Sequence, residues 1–379
     1  SKVTEISRYV NLPAMILSFS LCHAMAQETI VITGKVFDIR SKEPLPFASV
    51  TVAAKPLGTV TNAYGEFDFY LQGSFADSIV ISHVGYESFR DKVVNLVDRN
   101  LAIGLKARPV LLQEVVIREK NLTGKEIVAK AIRNLTLNHS TKSFCLEGFF
   151  REIEEENGKY VLLTEAAVDL YDKNFDGKRK RHLQESVDVK EMRRSLRYSK
   201  QYSRDNIGFA LADLFENNDV RYNRGMLDTA VNTFSLDTIT YYNDQPVYGV
   251  RVKHGIDTGM LYIDMNTFGF SKISMERKSA DPDKKYYQEL MISEGRKQGR
   301  VWFRFSVEFE VYQGKLYPRR MHESELNEVI DTTGQVKISG IETLEFIITN
   351  IVPGKESKSA KRLQYNMKIK TEAYHPDFW

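Results

Sequence analysis

Two stretches decide how the front of the chain folds: Pro44-Leu45-Pro46-Phe47-Ala48-Ser49-Val50-Thr51-Val52, and Gly58-Thr59-Val60-Thr61-Asn62-Ala63-Tyr64-Gly65-Glu66-Phe67-Asp68-Phe69-Tyr70-Leu71. In the second, Phe67, Phe69 and Leu71 alternate with polar residues and fall on one face of an extended strand. The residues before them are rich in turn formers, and Pro44 and Pro46 suit an edge or loop. Working outward, Ile30 to Phe37 alternates as well. Ser78 to Val84 is a nearly continuous apolar run closed by Gly85, and Asn100 to Leu105 and Glu114 to Ile117 read as two more strands. Short strands at this spacing, with no long helical pattern among them, predict a small β-sandwich over residues 28–118.

The same residues carry a family pattern. Gly34-Lys35-Val36-Phe37-Asp38, Pro44-Leu45-Pro46-Phe47-Ala48-Ser49-Val50, Gly58-Thr59 with Thr61-Asn62, Gly65 and Phe67, and Ile81-Ser82-His83-Val84-Gly85-Tyr86 stand in order. This resembles the carboxypeptidase-regulatory-like, or transthyretin-like, domain found at the front of many Gram-negative envelope proteins. The resemblance implies a non-catalytic sandwich in which the quoted residues determine the fold. In TonB-dependent transporters such a domain leads into a plug and barrel. Here about 240 residues follow, too few for that architecture.

The N-terminus predicts export. Lys2 and Arg8 precede the apolar run Leu12 to Cys22, and Ala24-Met25-Ala26 forms a cleavage signal, so residues 1–26 read as a signal peptide. A lipoprotein signal using Cys22 is the rival, and Leu21 and Phe19 fit it poorly. Cleavage leaves Cys145 as the one cysteine, in the strand-like Phe144-Cys145-Leu146, and this predicts a buried thiol without a disulfide. The expected location is the periplasm or the periplasmic face of the outer membrane. Charged residues make up 27% of the chain, yet the net charge is only +3, which gives no general case for a nucleic-acid partner. The aromatic ending Phe378-Trp379 leads us to expect that the natural chain continues.

Residues 119–140 read as a helical link. Thr123-Gly124-Lys125-Glu126 is a capping box, and Ile127, Val128, Ala131, Ile132 and Leu135 form an apolar helical stripe. Residues 141–379 read as a larger β-rich module. A meander begins near Asp237, with strands at Thr238–Tyr242, Val247–His254, Met260–Asp264, Phe268–Arg277, Tyr286–Ser293, Trp302–Tyr312, Leu316–Glu323 and Ile338–Ile348. One or two helical turns are expected from Phe209 to Phe215. A meander this long must curl to hide its edges. The fold class is therefore all-β, a sandwich followed by a curled antiparallel sheet or half-barrel. Phe149-Phe150-Arg151-Glu152, Glu165 to Tyr171 and Gly259-Met260-Leu261-Tyr262-Ile263-Asp264 resemble a poorly characterised family with the same two-part layout. The last phrase is also similar to the open half-barrel of periplasmic lipoprotein carriers.

Candidate chemistry is sparse. His182 and Glu185 have the spacing of a zinc pair, but Lys178, Arg179, Lys180 and Arg181 beside them oppose a dication. No catalytic, cofactor or metal residue is assigned. Glu152, Glu165 and Asp169 are the residues an envelope hydrolase acting on peptide or glycan would use, if folding gathered them. The strongest functional signal is basic: Arg179, Lys180, Arg181, Arg193, Arg194, Arg197 and Lys200 could meet an anionic partner. The expected function is non-enzymatic binding or scaffolding, with an envelope protein or a lipid as partner, peripheral membrane association as one form of it, and no cofactor. For a lipid, the inward face from 247 to 312 must be apolar and uncovered.

Overall fold

The computed structural model describes residues 29–71, 74–108, 122–194, 207–279, 281, 284–291 and 296–367. The front of the chain forms β1 (Ile30–Asp38), β2 (Ser49–Val52), β3 (Gly58–Val60), β4 (Glu66–Leu71), β5 (Ser78–Ser82), β6 (Phe89–Lys92), the short α1 (Val93–Leu96) and β7 (Asn100–Leu105). They make two sheets, ordered β4-β1-β7 and β3-β2-β5-β6. Alternation works as the sequence predicts: Phe67, Phe69 and Leu71 are buried, while Glu66, Asp68 and Tyr70 are exposed. Ile32, Val36, Val50, Ile79 and Ile81 complete the core between the sheets. The strand expected at Glu114–Ile117 lies outside the described residues.

Helices α2 (Gly124–Arg133) and α3 (Leu135–Asn138) come next. Thr123 and Glu126 form the reciprocal capping box, which satisfies donors that the first turn of α2 cannot. The remainder contributes β8 (Phe144–Glu156), β9 (Lys159–Asp172), β10 (Ser186–Arg194), α4 (Ile207–Asn218), β11 (Thr233–Tyr242), β12 (Gln245–His254), β13 (Asp257–Asp264), β14 (Phe270–Lys278), β15 (Gln288–Met291), β16 (Lys297–Tyr312), β17 (Lys315–Ile330), β18 (Val336–Pro353) and β19 (Lys361–Arg362). They form one twelve-stranded sheet that does not close. The meander β11-β12-β13-β14-β16-β17-β18 is continued by β8-β9-β10, with β19 on the edge and β15 beside β16. The fold is all-β, and its large sheet is antiparallel throughout, as expected.

One expectation fails. The inward face from 247 to 312 is apolar, with Val250, Val252, Leu261, Ile263, Ile273 and Val307 fully buried, but it is covered. Ile127, Val128 and Ala131 of α2 and Leu211, Leu214 and Phe215 of α4 belong to the same core cluster. The segment predicted as one or two turns is the 12-residue α4, lying on this face against β16, β17 and β18. Beside it is a void of about 20 Å³ edged by His139, Phe175, Phe215, Asn218 and Arg221, room for roughly one water. The interior is filled by the chain's own helices.

Candidate functional site

The regulatory-like sandwich rests on the outward face of the sheet, and this seam gathers the most unusual side chains. At residue 319 a β-bulge breaks the pairing of β16 and β17: Glu308 faces Arg320, but Phe309 faces Pro318. The extra residue turns both Arg319 and Arg320 toward the sandwich, where strict alternation would separate them. Each is 1% exposed. Arg320 stacks over the Phe47 ring of the sandwich at 3.9 Å and donates to Glu345 at 2.6 Å. Lys272 donates to Glu308 at 2.9 Å. Burial would raise the Glu308 carboxyl, but Lys272 and Arg320 outweigh it and hold the group low, so it stays ionised. Burial lowers His83, helped by Lys272. Burial and then Arg320 push His322 down to about 3.

The rest of the seam is backbone and turn chemistry. Gly85, at a φ of +83° that suits glycine, donates its N–H to the Tyr241 carbonyl at 2.9 Å. Ser82 meets Asn243, and Arg108 lies 4.0 Å from the Tyr241 ring centroid. Gly58 permits the closest approach. A Cβ there would lie 1.6 Å from Arg319 Nη2 and 2.4 Å from the Val50 carbonyl. The Arg319 terminus could swing away, but the backbone carbonyl could not. Gly58→Ala is therefore expected to lower stability by about 1–3 kcal/mol, read as a shift in urea midpoint with the slope unchanged. A midpoint within error of the parent would show that the seam is looser than this.

A second polar cluster lies on the inner side. The Arg221 side chain is 2% exposed and pairs with Asp219 at 2.6 Å, Asp172 at 2.7 Å and Glu185 at 2.8 Å. Tyr222 donates to Glu185 at 2.7 Å, and the Arg221 guanidinium stands 4.7 Å from the Phe175 ring centroid. Burial raises both Asp172 and Glu185, against the pull of Arg221. Burial also opposes the charge on Arg221, but Asp219 and Asp172 outweigh it. The cluster ties the segment after α4 to the end of β9 and the start of β10.

The residues singled out from the sequence fall in different places. Glu185 points into the Arg221 cluster, while His182 is exposed. Glu152 lies opposite Thr164 on the inner face, whereas Glu165 lies opposite Arg151 and Asp169 opposite Glu147 on the outer one. Strand alternation therefore keeps Glu152 apart from the other two. Glu165 is held by Arg151 at 2.7 Å and also by Arg193. Asp169 is held by Lys355 at 3.0 Å and accepts from Tyr171 at 3.0 Å. Cys145 is fully buried and free, and burial pushes its thiol up to about 12.

The basic residues lie at two ends of β10. Arg179 and Arg181 are exposed in the loop before it, and Lys180 pairs with Asp176 at 2.7 Å. Arg193 and Arg194 end the strand, about 26 Å from its start at Ser186. Arg197 and Lys200, like the stretch 1–26 expected to be a signal peptide, lie outside the described residues. Sequence reasoning missed Arg319, Arg320 and Arg221. The triplet Pro318-Arg319-Arg320 carried one usable signal, since proline inside a long strand marks an irregularity.

No curated protein matches the chain. Among solved structures, a DUF1329 family protein from Desulfovibrio piger is similar at 12% identity over 61% of this chain and 93% of that one, with a TM-score of 0.28. Lipovitellin, described for its lipid–protein interactions, is similar at 8% identity over 59% of this chain and 27% of that one, with a TM-score of 0.25. The model of the CarboxypepD_reg-like domain matches residues 32–117. With its two small sheets, its buried Phe67-Phe69-Leu71 face and its turn glycines in place, that part of the chain is a carboxypeptidase-regulatory-like domain.

Proposed function

We propose that this chain is an exported, non-enzymatic binding protein of the cell envelope, in which the regulatory-like domain and the large sheet act together as a scaffold for a partner. The observation that carries this reading is the seam. Charged groups buried between two domains are costly unless both sides keep their geometry. Arg319, Arg320, Glu308 and Lys272 therefore favour a fixed pair over two modules on a string, and a fixed pair suits presentation of a surface. Two of the carboxylates a hydrolase would use are engaged by the chain's own cations, Glu165 by Arg151 and Asp169 by Lys355, and Glu152 lies on the opposite face from both, which argues for structure over acid–base work. A lipid is less favoured on the inner face, because α2 and α4 occupy the apolar surface it would need.

The test is native mass spectrometry of the protein purified from its own envelope fraction without stringent detergent washing. A stoichiometric protein or lipid adduct is expected. A bare chain carrying one zinc ion, or turnover of peptide or glycan, would overturn the reading. A bare, metal-free chain would favour a passive spacer instead.

A further inference from the structure

The outward face of a half-covered sheet should be polar where nothing sits on it. Beyond the docked domain it is not. Trp302 faces Leu326, and Leu326 faces Ile341, across β16, β17 and β18. On β8 and β9, Ile153 faces Leu163, and Tyr160 lies two strands from Ile341, with Glu155 of β8 between them. Parity places these six on the same side as Arg320 and His322, the side the sandwich occupies. They form a contiguous apolar row with Ile341 and Leu163 each 37% exposed and Tyr160 72% exposed.

The row lies in a trough. One wall is the docked domain, which reaches His322 through the Phe47 ring, and Leu326 begins the row about 13 Å further along β17. The other wall is the segment leading into β15. There Tyr286 lies where a side chain at Gly299 would project and donates to Glu328 at 2.7 Å. Lys285 binds the same carboxylate at 2.6 Å.

The trough also has a sign. Around the row three acids lie low against the sheet with their cations above them, while Glu155 sits within the row, between Ile341 and Tyr160. The Glu165 side chain is 3% exposed, while Arg151 and Arg193, which bind it, are 38% and 44% exposed. Glu328 is 7% exposed under Lys285 at 54%, and Glu276 is 27% exposed under Arg304 at 55%. Arg304 also covers the Trp302 ring at 4.5 Å. An approaching molecule meets cations and apolar side chains first.

We propose that this trough binds a segment of a partner protein carrying acidic and apolar side chains. The charge layering supplies the complementarity, and the two walls favour a polypeptide over a flat bilayer, which cannot enter between them. The inference rests on the scaffold reading and names the kind of partner and its place.

The experiment is photo-crosslinking in the envelope of intact cells, with p-benzoylphenylalanine placed at position 341 and, separately, at 163, and at Tyr70 on the sandwich as an exposed control. The expected result is one discrete protein adduct at 341 and 163, absent at 70, with an Asp/Glu-rich crosslinked peptide. Lys278, 62% exposed, faces Trp302 across the ladder and lies 3.4 Å from Glu276. The double variant Lys278→Ser, Arg193→Ser should lower the yield about fivefold, the effect of two exposed rim charges. Unchanged melting of that variant would show that the loss is one of binding. No adduct above the control, an adduct to lipid or to a second copy of this chain, or a yield indifferent to the two cations would overturn the proposal. If native mass spectrometry still finds a partner in that case, the scaffold reading stands and only its location here fails.

Discussion

Replacing Arg221 by methionine is expected to lower the stability of the protein by about 3–5 kcal/mol at neutral pH, the usual consequence of removing one member of a buried ionic cluster. The size follows from what is left behind. Asp172, Asp219 and Glu185 all converge on this one guanidinium, and Glu185 is wholly buried. Methionine fills the volume but neutralises none of them. Asp172 and Glu185 already lean toward the protonated form through burial, and without the cation they lean further. A carboxyl whose folded pKa is raised binds protons more tightly folded than unfolded, so acid favours its folded state. The variant should therefore recover part of its loss between pH 7 and pH 5. Arg221→Lys should fall between parent and methionine, because it restores charge without the fork that reaches three acids. Urea unfolding of the three proteins at both pH values checks this. A loss below about 1 kcal/mol for the methionine variant, or a loss that grows in acid, would mean that the cluster is solvated rather than closed.

This cluster was illegible in the sequence for a physical reason. Its members come from the end of β9, the approach to β10 and the segment after α4, and no periodicity links them. Glu185 was conspicuous only through its spacing from His182, and the two side chains part company, one buried and the other exposed. By contrast, the sandwich was open to reading because its signal is local. Phe67, Phe69 and Leu71 need only period two, and the turn glycines sit where tight turns must. The long strands were read too short where burial broke the alternation rule. The sequence pattern of β17 stops at Glu323, yet the strand runs on to Ile330. Glu323 and Glu325 are 3% and 7% exposed, and they face Phe305 and Phe303 across the ladder. Burial holds the Glu323 carboxyl well above its usual range, with Asp213 adding to it. An acid whose charge burial disfavours occupies a core position that its letter denies.

Pairing distant in sequence was equally hidden. Hydrophobic pattern assigned strands to both ends of the second module, but nothing local says that β18 must lie against β8, where Phe346 meets Phe150 and Leu344 meets Glu152. The covering of the inner face has the same origin. The stripe Ile127, Val128 and Ala131 was visible as helix, and its destination against β11, β12 and β13 was not. For the trough, Arg193 was noticed as charge, but the apolar row beside it comes from five strands and appears only when register is known.

Lowering the pH from 7 to 5 is expected to remove about 2 kcal/mol of stability through His139 alone and a similar amount through His322. His139 is 2% exposed, stacked on Phe175 at 4.0 Å and edge-on to Phe309 at 5.5 Å. Burial pushes it down to about 4; Asp219 opposes this, while Arg221 and Lys315 add to it. A histidine whose folded pKa lies below its unfolded value takes up its proton earlier when unfolded. Its stabilising contribution is therefore complete above roughly pH 6.5 and drains away as pH falls toward the folded value of about 4. The raised carboxyls of Asp172, Glu185, Glu310 and Glu323 act in the opposite sense over acid pH, so the net slope of the parent mixes the two. A difference measurement isolates the histidine. His139→Phe keeps an aromatic ring against Phe175 and cannot take up a proton, while the carboxyls remain. Between pH 7 and pH 5 the variant should lose about 2 kcal/mol less than the parent in urea unfolding. If the two proteins show the same dependence, His139 is hydrated in solution, and the wall it forms beside the small void opens to water well before the sheet unfolds.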